Sequence, residues 1–302
     1  MVNITETSPV MAYALEFLQS HPVVGLILFI PIMIFYLILL FDRTKWRNLE
    51  MSLGVCYIVS LPYANNLLSI WLNGAEGDSL TKHLLQLMLL AMAVQAFAFF
   101  LTDDSSDSVI DCSLIITNIL SRGGLLLSAV YAMLYVKSLS PLALKFDYVF
   151  LSLLMVGDFV HMRKITTKDG TLIFGDSVRF HVVVDALGTF LLGVILLGFP
   201  SILAGPLNLS TPVTDVCQVF MRSFGFQLLA GSLLSLSSLC YKKNKDVASI
   251  LKSKLVIYVP ASAFILWNAW SGSACIICYL CVTGLLTMNA FMGILQAGFK
   301  QD

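Results

Sequence analysis

The chain has 302 residues, 58% of them hydrophobic and only 12% charged, with eighteen basic side chains against eighteen acidic ones. A soluble domain carries about 25% charged residues, so this composition excludes a water-soluble globular protein and predicts an integral membrane protein. Zero net charge gives no reason to expect nucleic acid as a partner, and the lipid bilayer becomes the expected surroundings.

Residues 1–21 contain no Lys or Arg, so the basic leader of a cleavable signal peptide is missing. The first apolar run, 22–41, is long enough to span by itself, because about 20 helical residues cover a ~30 Å hydrocarbon core. Eight more runs follow, at 51–71, 84–101, 118–138, 142–161, 179–199, 213–239, 254–270 and 273–296. Lipid offers backbone amides no partner, so each run is expected to be helical.

Basic residues set the orientation. With the N-terminus outside or lumenal, fourteen Lys and Arg fall on the cytosolic side, among them Arg122 and Lys254. Lys82, Lys137 and Lys145 fall outside, and the C-terminus is cytosolic. The sequons at Asn3 and Asn208 then both face outward, as glycosylation in a secretory-pathway or plasma membrane requires. Cys240, beside Tyr241-Lys242-Lys243 at the inner surface, is a candidate for lipidation.

An internal repeat emerges at an offset of 132 residues. Arg47 matches Arg179, Gln86 and Gln95 match Gln218 and Gln227, and Ser121-Arg122 matches Ser253-Lys254. With a one-residue shift, Tyr148, Ser152, Leu154 and Asp158 match Tyr279, Thr283, Leu285 and Asn289. Matching Arg122 to Lys254 puts both at the cytosolic surface and turns the residues before Arg122 into a loop. Four spans is an even number, so the two units run in parallel. The expected fold is all-α with nine transmembrane helices. Its parts are an N-terminal tail and helix (1–45), repeat A (46–162), a cytosolic linker (163–177), repeat B (178–297) and a cytosolic tail (298–302).

The second helix of repeat B reads Arg222-Ser-Phe-Gly-Phe-Gln-Leu-Leu-Ala-Gly231: an arginine, small residues, then an apolar stretch ending in glycine. This cadence, followed by two helices with Asp or Asn in the last, resembles the small DoxX-like four-helix membrane proteins. The resemblance covers 46–162 and 178–297 and implies a four-helix fold for each copy, without a particular activity. The first copy departs from it, with Leu90 in place of Arg222.

Candidate sites come from charges inside spans. A charge in hydrocarbon costs several kcal/mol unless paired or hydrated. Arg222 is the one basic residue that topology assigns to no surface, and Asp185 is the acid well inside a span. Counting residues leaves the two ~8 Å apart along the membrane normal, within reach of an extended arginine. They are expected to form either a binding or ion-coupling pair or an ion pair locking a helix hairpin, with Gln218 and Gln227 flanking Arg222. His181, one turn from Asp185, is a proton-relay partner or an interfacial histidine. Asp158 and Asn289 form a central polar pair between the repeats, or Asp158 pairs with Arg163 or Arg122 at the surface.

No metal or cofactor is expected: three cysteines of one helix, at 275, 278 and 281, have no histidine near them in sequence. No nucleophile–base arrangement, phosphate loop or HExxH pattern points to an enzyme, and an enzyme, the third class left open, would need intramembrane residues alone, with His181 or Asp158 in a water-accessible pocket. A structural or assembly component, working through contacts with other membrane proteins, is the leading expectation. A transporter or small-molecule or lipid binder with its site at the repeat interface is the alternative.

Overall fold

The computed structural model describes residues 43–299 apart from 76, 78, 104, 106, 164, 166–175, 201–213 and 270–273. The expected first span, the sequons at Asn3 and Asn208 and most of the linker lie outside the described residues. The chain divides into two compact units, Met1–Leu49 and Glu50–Asp302. The described part of the first is the opening of helix α1 (Arg43–Ser60).

The second unit takes up α1 from Glu50. A 3-10 turn, Leu61–Tyr63, then leads to α2 (Ala64–Trp71). After it come α3 (Ser79–Leu101), α4 (Ser108–Tyr135), α5 (Pro141–Met162), α6 (Ser177–Gly198), α7 (Asp215–Ser238), α8 (Asn244–Ala269) and α9 (Ala274–Phe299). No strand occurs among the described residues. Among the described residues five helical stretches are long and apolar enough to cross a membrane: Lys45–Trp71, Leu80–Leu101, Ser108–Tyr135, Ser177–Gly198 and Asp215–Ser238. Large apolar side chains such as Leu134, Phe146 and Leu285 point outward, while Asp158, Asp185 and Lys254 are buried. An apolar exterior of this extent would be a liability in water and suits hydrocarbon. The chain is an all-helical membrane protein.

Three boundaries differ from those expected. The run 51–71 is broken, because Pro62 removes a backbone donor and the helix tightens into the 3-10 turn before resuming. The loop expected before Arg122 is helix instead: Asp107 caps α4 by accepting from the Val109 amide at 3.1 Å, and the apolar residues after it continue the helix. Arg122 therefore lies near the middle of 28 helical residues rather than at a surface. Lys254 likewise sits ~15 Å inside α8, not at its start. Both charges can stay inside because carboxylates meet them there.

Helices adjacent in sequence pack as hairpins, α4 on α5, α6 on α7 and α8 on α9, and α9 returns to pack on α6. Across the bundle α7 lies on α4 and α3, and α8 lies on α3. Close approach of α6 and α7 rests on two glycines: a Cβ at Gly193 would meet the Gly225 carbonyl oxygen at 3.0 Å, and a Cβ at Gly225 would meet that of Gly193 at 3.0 Å. This contact fixes the register of the hairpin that carries Asp185.

Candidate functional site: two buried charge clusters

The first cluster centres on Arg122 of α4, which is 6% exposed. Its guanidinium forks between two carboxylates, donating to Glu50 Oε2 of α1 at 2.5 Å and to Asp158 Oδ2 of α5 at 2.5 Å. It also donates to the Leu154 carbonyl at 3.3 Å. Asn118, one turn before Arg122, donates through Nδ2 to Glu50 Oε2 at 3.3 Å. A fork geometry suits arginine, whose planar donors match two acceptors at once. One cation thus faces two carboxylates. Glu50 Oε1, Asp158 Oδ1 and Asn118 Oδ1 are buried and accept no hydrogen bond.

The second cluster centres on Asp185 of α6, which is 0% exposed. Lys254 Nζ of α8 donates to its Oδ2 at 2.9 Å and to the Gly231 carbonyl at 2.9 Å. Ser235 of α7 donates to Oδ2 at 2.5 Å, and the Tyr258 hydroxyl donates to Oδ1. Gly231 makes room for the ammonium, since a Cβ there would sit 3.2 Å from Nζ. One cation faces one carboxylate, and both carboxylate oxygens have partners.

Arg222 is not part of this cluster. It is half-buried, with its guanidinium carbon 4.9 Å from the centroid of Tyr131 in α4, and Tyr131 in turn lies 5.1 Å from Tyr135. Thirteen residues of α7 separate Arg222 from Ser235, which touches Asp185. At 1.5 Å per residue that is about 20 Å, beyond any arginine. The glycine contact slides α7 along α6 so that Arg222 lies level with the far end of α6. The expected Asp185–Arg222 pair is corrected to Asp185–Lys254.

The other singled-out residues also find definite places. His181 Nδ1 lies 2.8 Å from Asn289 Oδ1, and Asn289 Nδ2 donates to the His181 carbonyl at 2.7 Å, tying α6 to α9. His181 thus faces Asn289, while the partners of Asp185 come from α7 and α8. Asp158 meets Arg122, but in the interior rather than at the surface, and Asn289 is on a different helix pair. Gln227 accepts from Ser121 of α4 at 2.7 Å and so bridges α4 and α7. Gln218 is half-buried near the start of α7. Cys240 is a half-buried free thiol following α7.

Beside Cys240, Tyr241 is fully buried and hydrogen-bonded to Ser113 of α4. Burial raises its phenol pKa, the larger effect against the Ser113 bond. Arg179 at the start of α6 closes the same corner, donating to the Tyr241 carbonyl at 2.8 Å, to Asn244 Oδ1 at 2.8 Å and to Asp176 Oδ2 at 3.4 Å.

Sequence reasoning missed Glu50, Ser235, Lys254 and Tyr258 as partners. One signal was present. Arg122 and Lys254 are matched by the offset of 132, and Glu50 and Asp185 then differ by only one helical turn from the same offset. Among the described residues no group of three or more His, Cys, Asp or Glu could hold a metal ion.

No curated protein and no solved structure matches the chain. A family described as a domain of unknown function, DUF8292, matches residues 51–295, a stretch that holds Asn118, Arg122, Asp158, Asp185 and Lys254. The chain belongs to that family.

Proposed function

We propose that the chain is a nine-span membrane protein that acts as a structural or assembly component, joining other membrane proteins through helix contacts and carrying out no catalysis. The observation that carries this reading is the Asp185 cluster. Its charges balance, its oxygens are saturated and three helices contribute to it, which is the design of a lock rather than of an open ligand site. The exposed apolar side chains leave the outside of the bundle free for lipid or partner helices.

The architecture belongs to the same reading: an N-terminal helix and two parallel four-helix units, each similar to the DoxX-like proteins. Support comes from the crossed packing of α7 on α4 and α8 on α3, which pairs the second helix of each unit with the third of the other. Matched cations, Arg122 and Lys254, each take an acid from the first helix of their own unit. The N-terminus lies outside or in the lumen, with Asn3 and Asn208 glycosylated and Cys240 lipidated on the cytosolic side. An Asn208→Gln variant then loses a glycan. Unchanged glycosylation in Asn208→Gln together with modification of a sequon engineered at 245–247 would mean that the orientation is inverted.

The deciding experiment compares Asp185→Asn, Lys254→Met and the exchange Asp185→Lys/Lys254→Asp in cells. The single variants are expected at reduced abundance, with the exchange restoring it. Full abundance of both single variants, together with loss of a cellular activity, would overturn the structural reading. A second reading, a transporter or small-molecule or lipid binder, is favoured by one observation: the Arg122 cluster holds a carboxylate more than its cation balances.

A further inference from the structure

The two clusters are alike in plan and unlike in charge. Each has a cation on the third helix of its unit and an acid on the first. In the second unit the position matching Asp158 is Asn289, and the cluster is neutral. In the first unit that position keeps its carboxyl, so Glu50 and Asp158 share Arg122 in the ion pairs seen among the described residues. Asp158 is 0% and Asn118 1% exposed, so solvent does not offset the excess charge.

We propose that the Arg122 cluster is a binding site for one exchangeable proton, held between Glu50 and Asp158. The geometry supplies both ends of the bond it makes. Protonation of either carboxylate converts one of its oxygens from acceptor to donor. Asn118 Oδ1, buried and without a donor, is an acceptor in the same cluster. Binding is a simple addition: the proton arrives from solvent, an O–H bond forms, and the cluster goes from one net negative charge to zero. Its loss leaves an uncompensated anion among apolar helices, a costly state that favours opening of the α1–α4–α5 contact. The site therefore couples proton occupancy to packing, under either reading of the function.

The groups that face the pair are few. Arg122 and Asn118 come from α4, and Tyr57, within electrostatic reach of Arg122 and Glu50, comes from α1. His161 lies one turn beyond Asp158 on α5 and is buried. From α7, which also packs on α4, the neutral Gln227 bonds Ser121, the residue before Arg122. Arg122 is shared between the two carboxylates.

The test uses the purified full-length protein in one detergent. Infrared difference spectra across a pH series read the C=O stretch of protonated carboxyls. The wild type is expected to show such a band near neutral pH that disappears on alkalinisation. Asp158→Asn or Glu50→Gln removes it, and Asp185→Asn does not. Thermal unfolding gives an independent measure. The folded state holds one proton more than the unfolded chain, so stability falls as pH rises, by at most about tenfold in the folding equilibrium per pH unit. Asp158→Asn abolishes that slope while keeping the fold, since asparagine has nearly the volume of aspartate and its amide oxygen still accepts from Arg122. A band unchanged in both Asp158→Asn and Glu50→Gln would overturn the proposal. So would stabilisation by sodium at constant pH and ionic strength that Asp158→Asn removes, because a metal cation would then occupy the site.

Discussion

Asp185 and Lys254 meet at 2.9 Å in the interior of the bundle, 69 residues apart in sequence, and neither is more than 3% exposed at its side chain. Two charges in so dry a setting attract strongly but have each lost their hydration. Removing one partner strands the other. Lys254→Met or Asp185→Asn is expected to destabilise the protein by about 3–5 kcal/mol, whereas replacing both by apolar residues of similar volume is expected to come out near neutral. Chemical denaturation of the two single variants and the double variant checks this. Equal losses in all three would mean that the pair is not what holds these helices.

The hairpin register makes a second, sharper prediction. Gly193 and Gly225 face one another so closely that a methyl group on either meets a backbone carbonyl at 3.0 Å. Backbone cannot swing aside as a side chain can. Gly225→Ala should cost about 1–3 kcal/mol, the range for overpacking a filled interface. Gly198, on the same helix as Gly193, has no atom within 4 Å of a built Cβ, so Gly198→Ala should leave stability unchanged or slightly raised. Thermal midpoints of the two variants measured side by side decide the point.

Arg222 has a smaller structural role than its isolation in the sequence suggests. Its guanidinium lies against the Tyr131 ring, and Tyr131 is itself partly exposed beside Tyr135. A cation over an aromatic face at a partly exposed site is worth about 0.5–1 kcal/mol. Arg222→Gln and Tyr131→Leu are each expected to cost about that much, and the double variant no more than either alone. A double-variant cycle by thermal unfolding reads the coupling. Additive losses would separate the two residues.

The helices were legible because apolar length is a direct consequence of bilayer thickness. The long-range partners were not. Arg122 and Lys254 look like surface residues in sequence, since a lysine or arginine next to an apolar run normally marks a membrane edge. Only a three-dimensional register shows that Glu50 and Asp185 come level with them. The same limit explains the misplaced Asp185–Arg222 pair. Counting from span ends fixes depth to within a turn or two, but the contact of Gly193 with Gly225 slides the helices further than that. Pro62 could have announced the break after α1. Ser235 and Tyr258 could not have been distinguished from ordinary packing residues, because a hydroxyl on a helix face gives no sign of what it meets.

The corner after α7 offers a pH test outside the spans. Tyr241 is buried with its hydroxyl bonded to Ser113, and burial raises the phenol above its ordinary value of 10.0. A raised value means that the folded protein keeps this proton at a pH where the unfolded chain has released it. The contribution to stability is therefore complete below about pH 10 and is lost as pH rises beyond it. Tyr241→Phe removes that alkaline dependence. It also removes one hydrogen bond, so the variant should be weaker near neutral pH by about 0.5–1.5 kcal/mol, since Ser113 still donates to the Ile110 carbonyl at 2.8 Å. Denaturation curves for wild type and variant should then converge as the pH is raised above about 10. A constant gap across the series would show that the phenol ionises as freely in the folded corner as in the unfolded chain.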